Sequence, residues 1–416
     1  MPLPKCWWAG PAEYPNSRPE TFRDPCIFVY LRSLHLRHFR NYRDQGITFD
    51  APKTILVGEN AQGKTNLLEA VELLATLRSR RASRDRELVY QEEHQAQIAA
   101  TVERLGVAHE LVMELRSSGR RSLKVDGHVL RRQADFLGQV NAVVFSSLDL
   151  ELVRGAPEAR RNWLDGVLLQ LEPVYLGLVE QYRQILKQRN ALLKQDPKDS
   201  VPLTQATAGD QLPQMAFWDA QLATTGSRIM RRRARLLQRL QPLAAHWHRV
   251  ISGGRETLTL TYRPQVPLPD PQASPAVIQA QFLAEIRTKA AAEHSLGSSL
   301  VGPHRDEVEL CINGVAARAY GSQGQQRTLV LALKLAELEL IEQVVRDPPL
   351  LLLDDVLAEL DLHRQNQLLE AIQERVQTLV TTTHLGSFDA GWLKAAQILQ
   401  VQGGQLFPDK TGDGIP

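Results

Sequence analysis

Cysteine is scarce in this sequence: Cys6, Cys26 and Cys311 are the only three among 416 residues, and their spacing suits neither a disulfide framework nor a metal site. That excludes a disulfide-stapled scaffold and a cysteine-ligated zinc module, and it fits a reducing, cytoplasmic setting. No stretch of about 18 apolar residues occurs, so nothing in the chain reads as a bilayer-spanning helix. A surplus of one charge sign is missing too. The formal net charge is +2, too small to announce a nucleic-acid binder, so any such site must come from local clustering. What remains is a globular composition, 43% hydrophobic and 23% charged, on a chain long enough for two or three domains.

The stretch that organises this chain is Gly58-Glu59-Asn60-Ala61-Gln62-Gly63-Lys64-Thr65-Asn66. It follows the apolar run Ile55-Leu56-Val57 and opens into Leu67-Leu68-Glu69-Ala70-Val71, which carries helical spacing: strand, phosphate loop, helix. Gly58 and Gly63 permit the backbone angles that turn successive amides inward, and the helix N-terminus adds its positive end. Lys64 is then placed to reach the outer phosphates of a nucleotide, and the Thr65 hydroxyl a magnesium ion.

Taken in order, residues 1–28 hold Trp7, Trp8 and scattered prolines without periodicity, and they lack the apolar core of a signal peptide. Strand alternation begins at Val29 and runs through Tyr30 to Leu36, with Phe39-Arg40-Asn41-Tyr42 and a second strand, Gly46 to Phe49, behind it. After the phosphate loop and its helix, Arg78, Arg80, Arg81, Arg84 and Arg86 crowd nine residues, a cluster that suits DNA phosphates or a solvated turn. Antiparallel strand signals follow from Gln97 to Val129, and Ala142 to Phe145 reads as a short buried strand. The pattern then turns helical over Glu158 to Leu169, Val174 to Lys194, Met215 to Trp247 and Val277 to His294. A polar stretch from Asp196 to Pro213 reads as the tip of a helical hairpin, and prolines from Pro264 to Pro275 exclude regular structure there. Arg228, Arg231, Arg232, Arg233, Arg235 and Arg239 form a basic helix face, either a binding surface or a solvated one.

The C-terminal third concentrates the remaining chemistry. Gly321-Ser322-Gln323-Gly324-Gln325 opens a long apolar helix, expected from Thr328 to Val345, and its serine serves as a cap or as part of an anion site. Leu350 to Leu353 is a buried strand ending in Asp354 and Asp355. Paired acids at the end of an apolar run are costly unless a cation sits there, and magnesium is the obvious one. Ala358-Glu359-Leu360-Asp361 follows, and a last strand, Thr378 to Thr383, ends at His384.

Phosphate loop, serine-glycine signature, acidic strand end, Leu360-Asp361 turn and terminal histidine, in that order, resemble the ABC-type ATPases. The helical stretch between Gly58 and Ser322 is similar to the chromosome-maintenance and recombination branch, and the absence of a long heptad array excludes its coiled-coil members. Tyr30 to Tyr42, the loop Gly58 to Asn66, Asp149 to Pro157 with Arg160-Arg161, Gln188-Arg189-Asn190, Trp218-Asp219, Gly302 to Asp306 and Gly321 to Arg327 together resemble the bacterial RecF family, from Val29 to about Val401. The family commonly has proline where this chain has Ser147, and a terminal histidine such as His384 is not a constant feature of it.

The resemblance implies an α/β fold: a P-loop ABC-type ATPase head, whose lobe I (29–133 and 320–405) is a mixed sheet with helices, plus a helical lobe II (134–319) without a long coiled coil, and a tail over 406–416. It implies ATP and magnesium as cofactors, with Gly58 to Asn66 and Arg40-Asn41 at the nucleotide, Thr65 and Asp354 at the metal, and Lys64, Asp354, Asp355 and His384 in the catalytic group. Ser322, Gly324 and Gln325 then serve the nucleotide of a second copy, so ATP glues a homodimer. Asp355 replaces the glutamate of most relatives, and its shorter reach implies weak, switch-like hydrolysis. The implied partners are single-stranded and gapped DNA, RecR with RecO, and through them RecA, in repair and SOS induction. A transporter ATPase and a nucleotide-dependent scaffold are the rival readings. Residues 1–28 are expected to be a non-native or disordered extension, since a GTG codon reads as valine inside a gene and as methionine at a start. Mass spectrometry of the native N-terminus is expected to find methionine at position 29; a peptide containing Trp7 and Trp8 would overturn this.

Overall fold

The computed structural model describes residues 29–408 apart from 105, 195–210, 268–269, 271–272, 358–359, 373–374 and 389. The expected extension 1–28, most of the hairpin tip beginning at Asp196, Pro269 and Pro271 of the proline stretch, Ala358-Glu359 and the tail from 409 lie outside the described residues.

Three sheets are built from the described strands. The one that carries the phosphate loop has the order β15 (Gln405–Pro408), β14 (Ala396–Gln402), β3 (Lys53–Val57), β13 (Thr378–Thr382), β12 (Leu350–Asp354), β8 (Ala142–Ser146). All its pairings are parallel except β14 with β15. Parallel strands are covered on both faces and so read as unbroken apolar runs. Ile55-Leu56, Leu350 to Leu353, Leu379-Val380 and Ala142 to Phe145 are accordingly buried. The register sets Val57 beside Thr382, Thr381 beside Asp354, and Asp354 beside Ser146, which lines up the carboxyl ends of four strands. Ligands of open parallel sheets bind along that edge. Behind β3, helix α1 (Lys64–Thr76) packs across β8, β12 and β13.

An antiparallel sheet, in the order β2 (Tyr42–Thr48), β1 (Tyr30–Phe39), β4 (Gln95–Arg104), β5 (Val107–Arg116), β6 (Ser122–Val125), β7 (His128–Val129), lies beside it. The turn between β6 and β7 places Asp126 and Gly127 at positive φ (50° and 76°), as a two-residue hairpin requires.

The helical part comprises α2 (Glu151–Arg154), α3 (Pro157–Leu171), α4 (Tyr175–Leu193), α5 (Gln211–Ile251) and α6 (Pro275–Leu296). It also holds a small sheet, β9 (Leu258–Arg263), β10 (Glu307–Ile312), β11 (Val315–Ala316). Then come α7 (Ala317–Tyr320), α8 (Gln323–Val345), α9 (Leu362–Ile372) and α10 (Ala390–Lys394).

Three expectations shift. The strand expected at Ala142 to Phe145, assigned to lobe II, is β8 of the phosphate-loop sheet, because an apolar strand with two buried faces needs both a ladder partner and helical cover. Residues 406–408, expected in the tail, form β15 against β14. Helix α8 starts at Gln323 rather than Thr328, because the Ser322 and Gln325 side chains cap it reciprocally.

The expected basic face of α5 is largely taken up by internal contacts. Arg233 is buried, forks onto Asp165 at 2.8 and 2.9 Å and donates to the Pro303 carbonyl at 2.6 Å, while Arg232 forks onto Glu172. Arg189 of α4 likewise joins Asp219, Ser299 and Glu293. Buried guanidinium groups persist only when carboxylates and carbonyls satisfy them, so these arginines tie α3, α4, α5 and α6 together. In the same core the His304 Nε2–H donates to the Ser299 carbonyl at 3.1 Å, and its Nδ1 accepts from the Tyr182 hydroxyl at 2.7 Å.

Burial pushes the His304 imidazole down to about 4, with Arg305 and Arg161 adding to the shift. The unfolded chain therefore binds more protons between about pH 4 and 6.5, and the stability that neutral His304 contributes is present above that window and lost as pH falls through it. Urea unfolding is expected to show a loss of up to about 3 kcal/mol from pH 6.5 to 4, and His304→Gln to remove that part of the dependence.

Candidate functional site

The loop between β3 and α1 is held open by its surroundings as much as by its own glycines. Gly63 sits at φ 120°, and a side chain there would lie 2.7 Å from the Asn41 amide; one on Gly58 would lie 2.4 Å from the Val401 carbonyl oxygen. Ala61 adopts the left-handed region (φ 65°), and Glu59, Asn60 and Ala61 are exposed. The loop carbonyls are braced from two sides. Asn41 Nδ2 and the Gly404 amide donate to the Gln62 carbonyl at 2.9 and 3.0 Å, and the Tyr42 hydroxyl donates to that of Gly63 at 3.0 Å. Gly403 donates to the Gln62 side chain, and Asn66 to Asn41. With these carbonyls engaged, the loop presents its exposed surface as a cradle for an anion. Lys64 Nζ donates to the carbonyls of Gly58 and Glu59, and burial pushes its ammonium below the usual range against the pull of Asp355 and Asp354.

Arg40 and Asn41 part company. Asn41 is built into the loop, whereas Arg40 forks onto the buried carboxylate of Glu69 at 2.7 and 2.8 Å and donates to the Glu87 carbonyl. The turn between β1 and β2 thus touches the loop through Asn41 and Tyr42 and grips α1 through Arg40.

At the strand ends, the Thr65 and Thr381 hydroxyls both donate to Asp354 Oδ1 at 2.8 Å. A hydroxyl and a carboxylate oxygen that close are hard donors of the kind magnesium takes. No group of three or more His, Cys, Asp or Glu able to hold a metal occurs among the described residues. The pair therefore fits an ion that draws its other ligands from phosphate and water, not an all-protein cage. Asp355 occupies the left-handed region (φ 56°), unusual for a residue other than glycine, and its amide donates to Thr381 Oγ1 at 2.9 Å. Burial raises its carboxyl above the usual range, while Lys64 and His384 act the other way. His384 is exposed at the end of β13, its Nδ1 3.0 Å from the Thr383 hydroxyl.

Ser322, Gly324 and Gln325 are not drawn into this group. Ser322 Oγ accepts from the Gln325 amide, Gln325 Oε1 accepts from the Ser322 amide, and Gln325 Nε2 donates to Glu256. Arg364 of α9 donates to the Gly324 carbonyl at 3.2 Å and to Thr328 Oγ1 at 2.8 Å, and its guanidinium pairs with Asp361. The acidic turn and the signature helix are thereby joined. Among the described residues, none of the three signature residues bonds to the phosphate loop.

Sequence reasoning missed Tyr42, Thr381, Arg364 and the pair Gly403-Gly404. Only the last had a local signal, adjacent glycines between two strand-like runs. Gly404 has φ 76°, and a Cβ there would meet the Asn41 carbonyl oxygen at 2.4 Å; Gly403 has φ 56° with open space around it. Gly403→Ala is expected to cost about 1 kcal/mol of stability, the strain of a left-handed alanine alone. Gly404→Ala should cost more, about 2–3 kcal/mol, and weaken binding of a fluorescent adenine nucleotide as well. Equal effects of the two in melting and titration would show that Gly404 does not brace the loop.

A family model described as the RecF/RecN/SMC N terminal domain matches residues 30–404. The DNA replication and repair protein RecF of Synechococcus sp. (strain JA-2-3B'a(2-13)) is 94% identical over 388 residues, covering 93% of this chain and all of its own length. That of Nostoc punctiforme (strain ATCC 29133 / PCC 73102) is 61% identical over 381 residues, 92% of this chain and all of its own. A solved structure of the recombination mediator protein RecF with ATP in the RecFOR pathway superposes with a TM-score of 0.83 at 29% identity, over 94% of this chain and 100% of that one. The fold is that of an ABC-type ATPase head, and identity of this degree over nearly the whole described chain makes the protein a member of the RecF family.

Proposed function

We propose that this chain is an ATP-dependent DNA-binding protein of recombinational repair and replication maintenance. In this reading it engages single-stranded and gapped DNA and acts with RecR and RecO to load RecA on strands coated by single-strand-binding protein, and in SOS induction. The observation that carries the nucleotide part is the convergence of Lys64, Thr65, Asp354 and Asp355 at one sheet edge beside a braced loop. The loop amides and Lys64 hold the phosphates, which requires Lys64 to exchange its two carbonyl partners for phosphate oxygens. Thr65 and Asp354 hold magnesium, which when bound neutralises phosphate charge. Asp355, whose carboxyl burial biases toward the protonated form against the pull of Lys64 and His384, accepts a proton from the attacking water in this reading. The outcome is a weak ATPase used as a switch.

Ser322, Gly324 and Gln325 point to a second copy, since their bonds run to Glu256, Arg364 and one another and leave the loop of their own chain unserved. For ATP to carry a dimer from nearly absent to nearly complete, it must favour the dimer by roughly 5 kcal/mol, reasonable for two buried triphosphates.

Ser322→Arg is expected to abolish ATP-dependent dimerisation, read by sedimentation, while monomer ATP binding changes little; Lys64→Met should weaken ATP binding itself. Parallel loss of both properties in Ser322→Arg would remove the reason for placing Ser322 in trans. For DNA, anisotropy of a labelled gapped duplex should report tight, salt-sensitive binding with ATP and weak binding with ADP. Binding indifferent to nucleotide, or none, would turn the search to a protein or membrane partner.

A further inference from the structure

A cleft of about 650 Å³ opens between the end of α1 with its following loop and the helices α3 and α4. Most of its charged lining is already matched. Arg80 reaches Glu72 and Asp149 at 2.8 and 2.7 Å, Lys334 reaches Glu337 at 2.6 Å, and Arg121 reaches Asp85 at 2.6 Å. The exceptions are Arg78, Arg84 and Arg183. None of their side chains makes an ion pair or hydrogen bond among the described residues, although Glu151 and Glu158 border the same cleft.

Arg78 is partly buried and Arg183 exposed, and they come from positions about a hundred residues apart in sequence. Burial pushes the Arg78 guanidinium down from its ordinary range and the charge of Arg183 adds to the shift, against the pull of Asp165, Tyr175 and Glu180. Asp165 is itself engaged by Arg233 and Tyr175, so two like charges lining one cleft, one of them partly desolvated, favour a further anion there. Planar guanidinium forks match phosphate oxygens in geometry as well as charge.

We propose that Arg78 and Arg183, with Arg84 at the rim, form a backbone-phosphate site for the DNA strand this protein engages. The inference rests on the DNA-binding reading above and narrows it. Of the loop cluster, Arg80 is excluded by its carboxylate partners and Arg81 by Asn66 and Glu69, while Arg183 enters from a helix that no sequence motif connects to the cluster. Leu77, Ala82 and Leu152 give the cleft apolar wall that suits a nucleotide sugar better than a bare ion, and exposed arginines at its edge let a polymer pass. A phosphate held here joins the loop after α1 to α4. Because α1 begins at Lys64, strand binding and the nucleotide site then share one helix.

The test uses the full chain with saturating ATP and a labelled gapped duplex over a salt series. Arg78→Ala and Arg183→Ala are each expected to weaken binding about tenfold and to lower the slope of log K against log salt by about 0.9 for each phosphate no longer neutralised. The double variant should weaken binding by clearly less than the product of the singles, because both arginines serve one phosphate. Arg263→Ala, an exposed arginine away from the cleft, should leave the slope unchanged. Arg78→Met keeps the aliphatic packing and should match Arg78→Ala, which separates charge from folding. If wild type binds with a steep salt slope and the double variant does the same, the cleft assignment falls and the DNA reading stands. If wild type does not bind, the DNA reading itself falls. If pyrophosphate raises the melting temperature of wild type but not of the double variant while DNA binding is equal in both, the cleft serves a free anion and the assignment to DNA is overturned.

Discussion

The hydrogen bond from Thr65 to Asp354, 2.8 Å long and closed across 289 residues of chain, is the contact on which the rest of the site depends. It exists because β3, β13 and β12 lie parallel and in a register that brings the loop after β3 level with the acid at the end of β12. A slip of one residue in either pairing would turn Asp354 or Thr381 to the other face of the sheet. The buried runs Leu350 to Leu353 and Leu379-Val380 make that slip costly, since it would move apolar side chains along with the polar ones. Core burial and site geometry are thus one constraint.

Around that junction the protein uses backbone where a side chain would be too large. Asn41, Tyr42, Gly403 and Gly404 brace the loop, mostly through its carbonyls, and Gly58 and Gly404 lie against carbonyl oxygens that leave no room for a Cβ. Asp355 pairs an unusual backbone conformation with a carboxyl raised by burial. Strain of this kind persists only where surrounding contacts over-determine it, and Thr381 supplies one by accepting from the Asp355 amide while donating to Asp354.

The helical part follows the opposite pattern. Arg189 and Arg233 are buried and bonded to several partners each, so they act as cross-links between helices and leave little of α5 as a basic surface. Each bridges residues far apart in sequence, and the same holds for Arg40 with Glu69 and Arg80 with Asp149. The buried arginines of this chain are structural residues, whereas Arg78 and Arg183 line one cleft without an ion pair among the described residues.

The sequence alone determined the phosphate loop, the buried strand ending in Asp354 and Asp355, most helix spans and the order of motifs. Each of these is written in contiguous residues: glycines that allow particular dihedral angles, apolar periods of 2 or about 3.6, caps at helix starts. Tertiary structure alone decided that β8 and β15 join the phosphate-loop sheet, that Arg40 turns to Glu69 while Asn41 stays with the loop, and that Arg78 and Arg183 are left facing one cleft while Arg80 is consumed. A charged side chain carries no local mark of its partner. Which carboxylate it meets depends on how elements far apart in the chain pack, and that is settled by the burial of the apolar faces between them.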